Sequence, residues 1–180
     1  LARLLVELKA HERGLATQVA QRTSEIQATQ QQLRATIDAI PDPLFEIDQD
    51  GRYCSVHSPR AELLMGPADQ LIGRNVTDVL PALAALTVMD VLNEAQSQGW
   101  STGRQIMLDL PGLGPTWFEL SAARKAGSAG GKPRFIVLSR DISERKRSQE
   151  QLQLTAQVFD QSGEAIVIAD AAQTLSLIHI

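Results

Sequence analysis

The chain has 180 residues, 43% of them hydrophobic, and a formal net charge of −4: room for one ordinary domain plus extensions, and no broad basic face to neutralise a phosphate backbone, so no nucleic-acid partner is expected. Cys54 is the only cysteine, which excludes an internal disulfide or a multi-cysteine zinc site and fits a reducing, cytoplasmic setting. No apolar run approaches the roughly 20 residues that cross a bilayer, so no membrane contact is expected of this segment; it begins at Leu1 without an initiator Met and reads as an internal piece of a longer parent, itself open to a membrane anchor elsewhere.

In chain order, residues 1–40 hold no proline, no aromatic residue and no glycine except Gly14, and six glutamines fall between Gln18 and Gln32. That composition predicts a long exposed helix. In one heptad frame Leu5, Glu12, Val19, Ile26, Leu33 and Ile40 take position a, and Leu1, Leu8, Leu15, Arg22, Thr29 and Thr36 take position d. Five of the six a places are apolar against three of the six d places, so the seam predicts a two-stranded parallel coiled coil, weakest in its second half. The alternative is a single helix packed on its own domain.

Pro41 and Pro43 end the helix, because a proline inside it removes a hydrogen bond and clashes with the preceding turn. Residues 44–48, LFEID, alternate apolar and polar, Asp50-Gly51 is a hairpin signal, and residues 52–56 alternate again, which predicts two antiparallel strands. Ser58-Pro59 opens a short predicted helix over 60–65, closed by Gly66-Pro67, and 71–80 reads as further helical turns. Leu83, Leu86, Val88, Met89, Val91, Leu92 and Ala95 carry the helical period to a stop at Gly99, a longer helix expected to cover one face of a sheet. Three strand-like segments follow at 102–110, 117–123 and 134–140, joined by a turn over 111–115 and a flexible glycine-containing loop over 127–131. Six of the seven aromatic residues lie in this unit, which marks the core. The expected class is α+β: a five-stranded antiparallel sheet with short helices and one long helix on one face, flanked by coiled-coil helices.

The last strand passes directly into a helix. Ile136, Val137 and Leu138 are apolar strand formers. Asp141 stands three residues before Glu144, the spacing of a helix N-terminus in which the first side chain accepts from free backbone N–H groups and the glutamate answers. Ile142, Arg145, Gln149, Leu152, Ala156 and Phe159 then fall on a and d places of a heptad. Residues 140–146, RDISERK, resemble the Asp-Ile-(Thr/Ser)-Glu-Arg-Lys ending of PAS sensor domains in bacterial signalling proteins, with Ser143 in the threonine place. Two strands, short helices, a long helix and three strands is also the PAS order, and the resemblance covers residues 36–142. It implies a sensory module that changes the packing or tilt of its flanking helices when the core binds a ligand or a partner. Asp141, Ser143, Glu144 and Arg145 are the candidate signal-coupling residues; Asp141 is placed both to cap the helix and to pair with Arg145 four residues on.

Residues 19–26, VAQRTSEI, resemble the V-x-x-R-T-x-E-L linker that precedes PAS or kinase modules, so the resemblance favours a histidine kinase output over a diguanylate cyclase. A homodimer through the helical linkers is expected. The rival reading is a PAS assembly module that dimerises and senses nothing; a cavity of about 300 Å³ or more lined by polar groups would favour sensing, and a filled core would favour assembly. An offset of 122 residues places Ile37-Asp38 on Phe159-Asp160, Asp42 on Glu164, Leu44 on Ile166 and Asp48 on Asp170, the mark of a repeat. The expected division is a signalling helix (1–35), a PAS domain (36–142), a helical linker (143–158) and the truncated start of a second PAS domain (159–180). The terminal SLIHI lacks the turn and alternation of 51–56 and reads as the edge of a fragment.

Few residues carry chemistry. His11-Glu12 is faintly similar to a histidine-kinase phosphoacceptor, but no proline follows it and nothing downstream would bind ATP, so it reads as a solvated heptad residue. His57 reads as following the second strand and supporting a turn; with His179 in the tail, three scattered histidines make no zinc site. Gly73-Arg74-Asn75-Val76 is similar to the Gly-Arg-Asn-Cys of light-oxygen-voltage domains, a flavin-binding PAS branch, with Val76 in the place of the flavin-bonding cysteine. Cys54 reads as a small buried hydrophobe, and residues 81–99 hold no histidine for a haem. No cofactor is assigned, while a small ligand between the long helix and the sheet stays open. Asp48 and Asp50 are explained by a turn, and Arg140, Arg145, Lys146 and Arg147 by a solvated, partly paired face. No nucleophile–base or metal-ligand spacing points to an enzyme.

Overall fold

The computed structural model describes residues 2–126, 132–162, 166–169 and 175–178, with side chains over 14–126 and 132–157. The expected loop at 127–131, Glu164, Asp170, His179 and the side chain of His11 lie outside the described residues. Helix α1 (Ala2–Asp38) runs through Gly14 and tightens before Pro41, with the Ile40 N–H donating to the Ile37 carbonyl at 3.0 Å. Val19 and Leu33 are 64% and 60% exposed, so these described seam residues of α1 do not pack on their own domain. Thr29 and Thr36, at d places, turn their hydroxyls back to the carbonyls of Glu25 and Gln32.

Strands β1 (Leu44–Asp48) and β2 (Tyr53–His57) form the expected hairpin. Its turn is held by Asp48, whose Oδ1 accepts from the backbone N–H groups of Asp50 and Arg52 at 3.0 and 2.9 Å. Gly51 sits at φ 84°, and a Cβ there would stand 2.7 Å from the Met89 sulfur; the turn needs the left-handed backbone and the bare α-carbon together. The helix expected at 60–65 is a single 3-10 turn, Ala61–Leu63, because the Ser58 hydroxyl accepts from the Arg60 N–H and donates to the Arg60 carbonyl, and Gly66-Pro67 leaves no room to propagate. Short helices α2 (Ala68–Leu71) and α3 (Val76–Val79) follow. Asn75 starts α3, its Oδ1 accepting from the Thr77 N–H at 3.1 Å while its Nδ2 donates to the Asp50 carbonyl at 2.7 Å.

Helix α4 (Ala82–Gln98) buries Ala84, Ala85, Val88, Val91, Leu92 and Ala95, and ends on Gly99 at φ 90°. Leu83 and Leu86, expected on the buried stripe, are 79% and 64% exposed. The 3.6-residue period counted back from Val91 and Ala95 reaches 84, 85 and 88, so the alanines take the core positions and let α4 lie close to the sheet. Strands β3 (Trp100–Leu110), β4 (Gly114–Arg124) and β5 (Arg134–Asp141) complete an antiparallel sheet in the order β2-β1-β5-β4-β3. Pro115 belongs to β4 and not to the turn, opposite Asp109; β5 pairs with β4 only from Phe118 onward, so the missing N–H leaves no ladder bond unmade on that side.

One face of the sheet carries Ile47, Tyr53, Ile106, Leu108, Phe118, Leu120, Phe135 and Val137 into the core beneath α4. The alternate residues Glu46, Trp117, Glu119, Ile136 and Leu138 are half-buried on the opposite face. Helix α5 (Ser143–Ser162) leaves β5 and continues past the linker boundary expected at 158. Strands β6 (Ile166–Ala169) and β7 (Leu175–Ile178) pair antiparallel, so the first three residues of the terminal SLIHI belong to a strand that starts at Leu175.

Candidate signal-coupling site

The step from β5 to α5 is organised by a residue of the neighbouring strand. Trp117 on β4 accepts from the Ile142 N–H through its carbonyl at 2.9 Å, and its own N–H donates to the Ser143 hydroxyl at 2.9 Å. The Lys146 N–H closes the first helical bond onto the Ile142 carbonyl at 2.9 Å, and the Lys146 ammonium stands 4.8 Å from the centre of the Trp117 ring. Asp141 caps from one residue upstream, its Oδ1 accepting from the Ser143 N–H at 2.9 Å. The first half of the expected capping box is therefore present and the second is not. The Ile142 N–H is already taken by Trp117 and Asp141 is paired with Phe118 in the ladder, so Glu144 is left exposed in the first turn, where the positive end of the helix favours its charge.

Arg145 does not pair with Asp141. Its guanidinium reaches across to Glu119 on β4 at 2.9 Å, because the Asp141 carboxylate is engaged with backbone and the first turn of α5 faces β4. The Arg145 bond holds the Glu119 carboxyl below the ordinary 4.5. In the rest of the basic cluster Arg140 pairs with Asp42 at 3.3 Å and Arg147 donates to the Ser143 carbonyl at 3.3 Å, partners that the helical spacing did not name.

The other helix meets the same end of the sheet. The Ser139 N–H donates to the Pro43 carbonyl at 3.0 Å, and Arg140 holds Asp42 as above. His57 is the last residue of β2, opposite Leu44, and not a residue after the strand. Its Nε2 lies 3.5 Å from the Asp38 carboxylate at the end of α1, so it faces a helix terminus where a turn-supporting role was expected.

Between α4 and the sheet lies a cavity of about 40 Å³ whose lining includes Tyr53, Leu63, Met65, Val88, Phe118 and Ser139. It falls below the volume set above for sensing, and its lining is mostly apolar. Burial pushes the Tyr53 phenol up to about 12. Val76, fully buried, opens α3, and Asn75 beside it spends its side chain on the helix cap and the hairpin. Cys54 is half-buried rather than in the core, and burial pushes its thiol up. Among the described residues no three His, Cys, Asp or Glu side chains are grouped to hold a metal, and no helix is long and apolar enough to cross a membrane.

A family model described as "PAS fold" matches residues 37–147. The chain belongs to the PAS family. Within it, the "Methyl sulfide methyltransferase-associated sensor" of Methanosarcina acetivorans is 23% identical over 157 residues, which is 80% of this chain and 14% of that protein; the PAS chain thus spans a small part of that relative's length. The PAS domain of a Colwellia psychrerythraea protein superposes with a TM-score of 0.51 at 20% identity, over 64% of this chain and 98% of that one. The Vibrio cholerae VqmA dimer, described among LuxR-type receptors, gives 0.51 at 17% identity over 61% and 51%. Both likenesses are of fold. Trp117 and Glu119 joined no sequence motif, and their one signal was position, on a strand whose neighbours the topology had yet to fix; Asp42 entered only as a repeat position.

Proposed function

We propose that this PAS domain is a sensory and regulatory module of a bacterial signalling protein, taking an input at its core and passing it through its flanking helices to an output domain further along the parent chain. One observation carries the reading: β5 joins every part that such a device needs. Val137 and Ser139 of β5 line the cavity, Ser139 and Arg140 hold the segment that follows α1, and Asp141 caps α5. A displacement of this strand therefore moves the seating of both helices.

The exposed apolar residues Val19, Ile26 and Leu33 of α1 and Leu152 of α5 support a homodimer through those helices. The similarity of residues 19–26 to a kinase-type linker favours a histidine kinase output, with a diguanylate cyclase next. The printed name of the Methanosarcina relative, a sensor, supports the sensory role. The domain itself catalyses nothing in this reading and works in the cytoplasm. The β6–β7 hairpin stands at the 122-residue offset from β1–β2, which supports a second PAS domain beginning near Phe159. The cavity of about 40 Å³ favours a second reading, a PAS assembly module whose filled core senses nothing.

The test uses the full-length parent, with output measured with the input on and off. Seven residues inserted after Gln149 keep the α5 seam in phase and four rotate it. The sensory reading expects regulation to survive the first insertion and to be locked or scrambled by the second. Equal behaviour of both would make α5 a passive tether and leave the assembly reading.

A further inference from the structure

We propose that His57 and Asp38 form a proton-sensitive clasp, which fastens the end of α1 to β2 when the imidazole is protonated and releases it when the imidazole is neutral. The device concerns the seating of α1 and holds under the sensory and the assembly reading alike.

The His57 Nε2 is closed off from solvent and makes no hydrogen bond among the described residues, although the Asp38 carboxylate stands only 3.5 Å away. Buried polar atoms are ordinarily bonded. A proton on Nε2 supplies both the donor and the charge that this carboxylate accepts, and a charge-assisted bond needs the gap to close by about half an ångström. Asp38 is placed to make that move: its side chain is 54% exposed, and it is the last residue of α1, ahead of the connection 39–43. The His57 side chain as a whole is 33% exposed, so the proton has a way in.

The end of α1 also calls for a cation. Its last turn carries Asp38 and no basic residue, and the negative end of a helix repels a carboxylate and attracts a positive charge. Arg34, one turn back on α1, keeps its charge at every accessible pH and adds no pH dependence. The charged groups of the neighbouring elements are engaged with one another: Asp42 with Arg140 of β5, Arg60 with Glu62 beyond β2, and Glu46 of β1 with Lys125 and Arg134. Leu44, opposite His57 on β1, is apolar. Asp38 is the partner left for His57.

Imidazoles change charge between about pH 5 and 8, and carboxylates stay ionised through that window. A bond that needs the protonated imidazole is present on the acid side and is lost as pH rises. The clasp therefore closes in mild acid and opens in mild base.

The experiment measures amide hydrogen exchange of the 180-residue chain at about pH 5.5 and about pH 8, on either side of the imidazole range, as protection factors corrected for the intrinsic rate at each pH. The readout is the Ala39 and Ile40 amides, which close the last turn of α1 onto the Ala35 and Ile37 carbonyls at 3.1 and 3.0 Å. Relative to Val137 at the centre of the sheet, both should be protected about threefold more at the acid pH, the scale of a half-exposed ion pair. Asp38→Asn and His57→Gln should each remove the difference, and Asp38→Asn does so with His11, His57 and His179 all in place. His57→Lys, charged at both pH values, should keep the acid-side protection at both. A wild type whose protection does not follow pH overturns the clasp, as does a pH dependence that survives in Asp38→Asn or in His57→Lys.

Discussion

At the outgoing junction three consecutive residues, Asp141, Ile142 and Ser143, are each fixed by a hydrogen bond of 2.9 Å to β4 or to the helix start. At the incoming junction α1 has already ended when the sheet takes hold: Asp42 and Pro43 are held, while Asp38 of the helix itself has only the 3.5 Å approach of His57. Partly buried hydrogen bonds to backbone contribute about 1 kcal/mol each, and exposed ion pairs contribute about 0–1. The difference makes α5 a rigid continuation of the sheet and α1 a rod on a looser mount, with the five residues 39–43 between them. A movement of β5 should therefore reach α5 with little loss and α1 with more.

The contrast breaks most visibly at Trp117. Trp117→Ala removes a half-buried indole and the platform under Lys146, and should lower stability by about 2 kcal/mol in urea denaturation. Amide exchange in the first turn of α5 should accelerate while that of α1 does not change; equal acceleration in both helices would make the two mounts equivalent.

Glu46 is the control at the far end of β5. Burial raises its carboxyl, but the bonds from Lys125 and Arg134 outweigh that and hold it below the ordinary 4.5. A depressed folded value means that the stabilisation is complete above 4.5 and is lost as pH falls through the folded value. Glu46→Gln should cost about 1.5 kcal/mol at neutral pH, the cations being half-exposed, and should flatten the acid limb of the stability profile. It should leave amide exchange in both helices unaltered, and an effect on α5 would mean that the whole sheet, not the junction, sets its mount.

Asp141→Ala should cost about 1 kcal/mol from the lost cap, with protection lost first at the Ser143 amide. Asp141→Asn, which keeps an accepting oxygen, should recover most of it. The smallest effect belongs to Asp38→Asn, under about 0.5 kcal/mol; thermal melts that showed a loss as large as that of Asp141→Ala would place a firm mount at α1 after all.

The fold was readable because its signals are local. Alternation at 44–48, the Asp50-Gly51 turn and the prolines after Ile40 each act within a few residues, and together they allow little but two strands followed by helices and three strands. The site was readable only in part, for the opposite reason. Asp141 as a cap is a local fact and was found. Glu144 and Arg145 were given partners from helical spacing, and the sheet intervened: Asp141, whose N–H Glu144 would have answered, is paired with Phe118 in the ladder, and Glu119 took the guanidinium. Leu83 and Leu86 were read as core because leucine is the more hydrophobic choice, while the close approach of α4 to the sheet selected Ala84 and Ala85.

Strands β1 and β5, the first and last of the sheet, lie side by side at its centre, so the chain is handed back close to where it was received. A gene can exploit that layout. A helical rod interrupted by such a domain resumes beside its own broken end, so a segment cut from one rod to the next carries one domain together with its own spacer. Units of this kind can be added or deleted in series without redesigning what lies on either side.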